Sequence, residues 1–128
     1  MACPFQVPRY EWNSTYPRVQ KCIFCAQRIK NGQQTACAEA CPTGATKFGD
    51  RDELLREAYE RIKSEPEKYI DRVYGVQEVG GTSVLYLSNI PFEQLGFKTR
   101  LESTALPMLT WNALSKVPSI VGVGGVLL

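Results

Sequence analysis

The stretch KCIFCAQRIKNGQQTACAEACPTGA, residues 21–45, holds four of the five cysteines of this chain. Two residues separate Cys22 from Cys25, eleven residues follow, and three residues then separate Cys37 from Cys41, which precedes a proline. A Cys-x2-Cys pair places two thiolates on one tight turn, and a third thiolate returns from a separate short element. Thiolates in this number select zinc, copper(I) or iron–sulfur clusters.

Composition narrows the chemistry that the rest of the chain could perform. The chain has 128 residues, the size of one domain, and its net charge of +2 includes no long basic block, so we expect no nucleic-acid partner. It has no histidine, which excludes imidazole metal ligands and histidine-activated nucleophiles. Any soft-metal chemistry therefore depends on cysteine.

The cysteine spacing is compatible with more than one kind of metal site. Zinc ribbons also combine a Cys-x2-Cys pair with a distant second pair, and four thiolates (Cys22, Cys25, Cys37 and Cys41) would then close one zinc site in a small structural or interaction module. Zinc sites usually repeat Cys-x2-Cys, whereas Cys-x3-Cys-Pro ends the bacterial ferredoxin motif, whose fourth cysteine ligates a second cluster. The spacing favours [4Fe–4S] clusters over zinc and disulfides, and one cubane on the same four cysteines is a variant.

Outside the cysteine stretch, the pattern predicts a few short elements. Residues 1–20 combine prolines with aromatic side chains and are typical of an irregular loop. An amphipathic helix is predicted from Arg51, capped by Asp50 or Asp52, and a short strand over Ser83–Leu87. Residues 88–105 should form a loop with one short helical turn after Pro91.

The carboxyl end of the sequence is uncharged from Val117 onward. About 20 apolar residues are needed to cross a bilayer, and this run is shorter, so alone it cannot span one. It is either a buried terminal helix or strand, or the beginning of a membrane helix. We favour the membrane helix, because Trp111 and Lys116 suit the water interface that would precede it.

Three segments together, residues 3–12, 21–55 and 73–97, resemble the ferredoxin-type electron-transfer subunits of membrane-bound bacterial oxidoreductases. The types in question are the hydrogenase-2 (HybA-like) subunit and the beta subunits of formate dehydrogenase and dimethyl sulfoxide reductase. The resemblance implies an α+β fold, the loop-rich C-terminal part of a dicluster ferredoxin-like domain with short helices and strands. The implied divisions are a partial [4Fe–4S] domain at 1–50, a helical and strand extension at 51–105, and a linker with a truncated membrane anchor at 106–128.

The resemblance also implies a ligand set. Family members carry four cysteine motifs that hold four [4Fe–4S] clusters, and this sequence matches the fourth motif and the last cysteine of the third. Cys22, Cys25 and Cys37 would then hold one cluster with a ligand from outside the sequence. Cys41 and Cys3 would each serve another cluster. We therefore expect an incomplete chain, whose amino-terminal half is missing.

The function implied by this resemblance is electron transfer without bond chemistry, so the chain would not itself be an enzyme. Electrons would pass between a catalytic subunit, a hydrogenase or molybdopterin oxidoreductase, and an integral membrane subunit that reacts with quinone. Relatives are membrane-associated on the periplasmic face, which is the expected location. A non-functional product of an interrupted gene is an alternative, and the DNA upstream of the first codon would distinguish it.

Overall fold

The computed structural model describes the backbone of residues 3–127 and the side chains of residues 3–123. The chain divides into two compact units, Met1–Glu65 and Pro66–Leu128. In chain order the elements are β1 (Arg9–Tyr10), β2 (Val19–Gln20), α1 (Ala26–Lys30), α2 (Ala36–Glu39), α3 (Arg51–Ser64), a 3-10 turn (Glu78–Gly80), α4 (Leu106–Leu114) and α5 (Val117–Leu127). Short helices and a two-stranded sheet are consistent with the predicted loop-rich α+β class.

The first unit begins with a small antiparallel hairpin. Arg9 pairs with Gln20 and Tyr10 with Val19, and the ladder is extended by the N–H of Glu11, which donates to the carbonyl of residue 18 at 3.1 Å. The expectation of an irregular loop over residues 1–20 is therefore wrong in this part. Two-residue strands are too short to produce the alternation by which strands are recognised in a sequence.

Helix α3 confirms the amphipathic helix predicted from Arg51. The Asp50 side chain caps it by accepting the N–H groups of Asp52 at 2.9 Å and Glu53 at 3.3 Å. Its buried positions, Ala58 and Ile62, are four residues apart and so share one face. Capping and spacing are both local properties, which is why the sequence was sufficient to find this helix.

The second unit has an aromatic core. Phe92 is only 1% exposed, and the Tyr74 ring lies 5.2 Å from the Phe92 ring and 4.9 Å from the Phe97 ring, measured between centroids. The predicted strand Ser83–Leu87 is wrong, because in this segment only Tyr86 makes a ladder contact, one antiparallel bridge to Tyr74. The carbonyl of Val84 instead accepts the Thr82 hydroxyl at 2.6 Å, across a bend of the backbone at Ser83.

A turn follows Pro91, as predicted. The N–H of Gln94 donates to the carbonyl of Pro91 at 3.0 Å, and that of Gly96 to the carbonyl of Glu93 at 3.1 Å. This turn places Phe97 against the aromatic core of the second unit.

The carboxyl end is helical over α4 and α5, and the side chains of residues 106–123 are exposed. The described side chains of this segment are thus not buried within this chain, and the favoured membrane helix stays a prediction. Among residues 3–127, no helix combines the length and the apolar content that crossing a membrane requires. The domain boundaries at residues 50 and 105 stay predictions.

Candidate metal centre

The turn that carries Cys22 and Cys25 has an unusual backbone. Phe24 and Cys25 both adopt left-handed backbone conformations, with φ of 53° and 50°. Residues other than glycine and asparagine rarely adopt this conformation. This geometry directs the N–H of Phe24 at the sulfur of Cys22, at 3.4 Å. Cys25 directly precedes α1. The turn therefore holds the Cys25 thiol at the start of this helix and the Cys22 thiol three positions earlier in the chain.

Cys37 lies in α2, and its thiol faces a buried hydroxyl. Thr35 precedes the helix and is 4% exposed, and the Cys37 S–H donates to the Thr35 Oγ1 at 3.5 Å. The Thr35 carbonyl accepts the N–H groups of Ala38 and Glu39, both at 3.1 Å, while its hydroxyl makes no capping hydrogen bond to the helix. The Thr35 carbonyl thus makes the first hydrogen bonds of the helix, and the Thr35 hydroxyl bonds to Cys37.

Cys41 has the environment of a readily ionised thiol. The Thr43 hydroxyl lies 3.5 Å from its sulfur, and the N–H of Thr46 donates to the same sulfur at 3.4 Å. The Thr43 hydroxyl first, and the Thr46 N–H second, lower the pKa of Cys41 from 9.0 to about 6. The thiolate, which is the form that binds metal, is therefore favoured at neutral pH.

Arg28 joins α1, which follows Cys25, to α2, which contains Cys37. The Nε of Arg28, in α1, donates to the carbonyl of Gln34 at 3.0 Å, and its guanidinium pairs with Glu39 at the end of α2. The Arg28 carbonyl also accepts the N–H groups of Asn31 and Gln33. The eleven-residue gap between Cys25 and Cys37 is thereby folded into a fixed loop.

The five predicted ligands all lie in the first unit. Cys22, Cys25, Cys37 and Cys41 form no disulfides, and they are exposed or half-buried, as is Cys3. In the described part of the chain, no three cysteine, aspartate or glutamate side chains gather closely enough to hold a single metal ion. Cys22, Cys37 and Cys41 each have an N–H or hydroxyl group at the sulfur, which suits thiolate ligands of an iron–sulfur cluster.

Sequence reasoning missed two residues of this arrangement, Thr35 and Arg28. Thr35 could have been noticed as a threonine, a residue type that favours the position before a helix, two residues before a cysteine. Arg28 gives no signal of its own, because its partners lie six and eleven residues away across a loop of unknown shape.

Comparison with known proteins identifies the cofactor. Residues 1–51 match the family model described as a 4Fe-4S dicluster domain. A protein of Nitratidesulfovibrio vulgaris is 43% identical over 129 residues, which cover all of this chain and 35% of that protein. Hydrogenase-2 operon protein HybA of Escherichia coli O157:H7 is 35% identical over 120 residues, which cover 74% of this chain and 37% of HybA.

The nitrate-inducible formate dehydrogenase iron-sulfur subunit of Escherichia coli K12 is 40% identical over 87 residues, which cover 66% of this chain and 29% of that subunit. The chain is similar to ferredoxin-type iron–sulfur subunits, and its residues 1–51 match a 4Fe-4S dicluster domain. It spans about a third of the length of the curated relatives it matches.

The match to a 4Fe-4S dicluster domain, together with the similarity to these iron–sulfur subunits, confirms the predicted resemblance and the predicted cofactor, the [4Fe–4S] cluster. It decides against the zinc module, because the matched domain is a 4Fe-4S domain and includes all five cysteines. The assignment of individual cysteines to individual clusters stays a prediction.

Proposed function

We propose that this chain is part of an electron-transfer subunit, which conducts single electrons through [4Fe–4S] clusters and makes or breaks no substrate bond. One observation carries the proposal. The Cys-x2-Cys-x11-Cys-x3-Cys-Pro spacing lies inside the matched dicluster domain, on turns that direct hydrogen-bond donors at the sulfurs. A bound [4Fe–4S] cluster supplies the chemistry, because it accepts and releases one electron at a time.

The proposed ligands follow the family pattern. Cys22, Cys25 and Cys37 hold one cluster, while Cys41 and Cys3 serve other clusters. A cluster pair requires about eight thiolates, four for each cluster. Because the chain has five cysteines, the remaining ligands come from outside these 128 residues.

The protein groups around the sulfurs favour the reduced state. Each added electron increases the negative charge on the ligand sulfurs, and hydrogen bonds to those sulfurs stabilise it. The N–H of Phe24 serves Cys22 in this way, and the N–H of Thr46 serves Cys41. Arg28 holds the loop between Cys25 and Cys37, so that no large movement is needed when an electron arrives or leaves.

The proposed partners are a catalytic oxidoreductase subunit and an integral membrane subunit that reacts with quinone. The names of two relatives, a hydrogenase-2 operon protein and a formate dehydrogenase iron-sulfur subunit, support the catalytic partner. Exposed apolar side chains on α4 and α5, together with Trp111 and Lys116, support a membrane contact near residues 106–128. We place the domain on the periplasmic face, the location that the family resemblance implies, with residues 1–50 as the cluster domain and 51–105 as its extension.

The proposal is tested by measuring iron, acid-labile sulfide and zinc per chain, after purification without oxygen and reconstitution with ferrous iron, sulfide and a small thiol. We expect about four irons and four sulfides, with the added thiol in the fourth ligand position. The matched control is the double variant C22S/C25S, which should retain neither. Zinc near one per chain without sulfide, or an iron content unchanged in the control, would overturn the assignment.

A further inference from the structure

We propose that Thr35 is a positioning residue, which donates a hydroxyl hydrogen bond to the sulfur of Cys37 and so raises the reduction potential of the cluster that Cys37 binds. The inference rests on the proposed function, since it requires Cys37 to be a cluster ligand. The Thr35 hydroxyl would help to set the reduction potential of this cluster, an effect that the cysteine spacing alone does not reveal.

The first observation is the burial of Thr35. It is 4% exposed, whereas Cys37 and the other residues of α2 are more exposed. A buried hydroxyl needs a hydrogen-bond partner, because leaving it without one costs about 1–3 kcal/mol. The partner that the structure gives it is the Cys37 sulfur, at 3.5 Å.

The second observation is that Thr35 does not use its hydroxyl as threonines in this position usually do. A threonine before the first turn of a helix normally accepts a backbone N–H with its side-chain oxygen. Here the side chain makes no such bond, and Thr35 begins the helix through its backbone carbonyl alone, which accepts the N–H groups of Ala38 and Glu39. The hydroxyl is thus left to the cysteine.

Cluster binding reverses the direction of this hydrogen bond. In the metal-free chain the thiol donates its proton and the Thr35 oxygen accepts. A ligating cysteine has lost that proton, so only the hydroxyl can donate, and it turns its hydrogen toward sulfur by rotation about one bond. The bond is stronger when the sulfur carries more negative charge, and therefore stabilises the reduced state over the oxidised state.

The loop around Thr35 is held in place from both sides. Arg28 binds the carbonyl of Gln34, directly before Thr35, and pairs with Glu39 at the far end of α2. Because these contacts fix the backbone on either side of Cys37, the hydroxyl stays within reach of the sulfur in both redox states. A fixed donor contributes to the potential without a cost for reorganisation.

The test compares the reduction potential of the reconstituted 128-residue chain with that of Thr35→Val, which has the same shape without the hydroxyl. We expect Thr35→Val to bind as much iron and sulfide as the unaltered chain. Its ratio of reduced to oxidised cluster at a fixed potential should fall about threefold to tenfold, and tenfold corresponds to a shift of about 59 mV to more negative potential for one electron. Thr35→Ser should restore the original ratio, and Thr15→Val, in an exposed part of the same unit, should not change it.

A second readout detects the proton itself. After exchange into heavy water, the reduced cluster of the unaltered chain should show coupling to an exchangeable deuteron that Thr35→Val lacks. An unchanged potential and an unchanged coupling in Thr35→Val would overturn the inference while leaving the proposed function intact. An equal shift in Thr35→Ser would overturn it too, since packing would then be the cause. Failure of the unaltered chain to bind iron and sulfide would overturn the proposed function, and this inference with it.

Discussion

Arg28 and Glu39 form an ion pair that joins α1 to the end of α2 across a separation of eleven residues. Both side chains are accessible to solvent, 35% and 64%, so the pair alone contributes less than about 1 kcal/mol. The hydrogen bond from Arg28 Nε to the Gln34 carbonyl adds about 1 kcal/mol. Together these contacts restrain the loop between Cys25 and Cys37.

We therefore predict that Arg28→Gln weakens the retention of a bound cluster without preventing its formation. A loss of about 1–2 kcal/mol corresponds to about a fivefold to thirtyfold faster loss of iron to a chelator, provided that the loop must open for release. The rate is followed by the decay of cluster absorbance. Lys30→Gln, on the same helix and without a described ion pair, is the matched control, and equal rates for the two variants would contradict the prediction.

Gly75 occupies a position in the second unit that strongly disfavours a side chain. Its φ is +101°, and an added Cβ would lie 2.4 Å from the carbonyl oxygen of Val84 and 2.6 Å from Oγ1 of Thr82. We predict that Gly75→Ala lowers the free energy of unfolding by about 3 kcal/mol or more, because it adds a clash to an unfavourable backbone conformation.

The matched variant is Gly96→Ala, which also has a positive φ, +77°, but has open space around the added atom. It should cost only the backbone term, about 1–2 kcal/mol. Urea unfolding, followed by near-ultraviolet circular dichroism of the aromatic core of the second unit, gives the free energy of unfolding of both variants. Similar costs for the two glycines would show that the contacts of Gly75 relax without penalty.

Glu78 is a buried carboxylate, 4% exposed, which accepts the N–H of Gly75 at 2.7 Å and pairs with Arg72 at 2.6 Å. Burial, the largest single influence, raises the pKa of Glu78. The hydrogen bonds from its own backbone N–H, from Arg72 and from Gly75 together outweigh burial, so the net pKa is lowered from 4.5. The folded state therefore binds a proton at this site less readily than the unfolded chain does.

From this shift we predict a defined pH dependence. The stabilisation by ionised Glu78 is present above pH 4.5 and is lost as the pH falls through the lowered pKa. Glu78→Gln should lose about 1–3 kcal/mol at neutral pH, because a neutral amide is left beside Arg72. The difference between the variant and the unaltered chain should shrink as the pH falls below 4.5, measured by urea unfolding. The exposed Glu102→Gln serves as control, and a difference that does not depend on pH would contradict the assignment.

The sequence was sufficient where structure depends on neighbours along the chain. Helix α3 was found because the Asp50 cap and the buried face at Ala58 and Ile62 follow from local spacing. The cofactor was found for a related reason, since the spacing of thiolates limits which metal group they can hold. Neither inference required knowledge of which residues meet in space.

The sequence was insufficient where the structure depends on contacts between distant residues. Ser83–Leu87 has a strand-like composition, yet it pairs only at Tyr86, because the Thr82 hydroxyl and the Gly75 loop engage the neighbouring backbone groups. The burial of Thr35 and the partners of Arg28 likewise depend on how the loop between the cysteines folds. These long-range contacts have no periodic signature.

Serine variants of Cys37 and Cys41 separate the two ways in which the four cysteines of residues 21–45 could bind [4Fe–4S] clusters. If Cys22, Cys25 and Cys37 hold one cluster and Cys41 serves another, Cys37→Ser abolishes cluster binding by the reconstituted chain, whereas Cys41→Ser leaves about four irons per chain. If all four cysteines hold the same cubane, each variant loses a ligand, and both should show a similar fall in iron and a similar change in the paramagnetic signal of the reduced state. Because Cys41 and Cys37 lie four residues apart and are both accessible, the two serine variants perturb the fold to a similar extent and control for each other. Loss of iron in Cys41→Ser equal to that in Cys37→Ser would contradict the separate assignment and favour a single cubane.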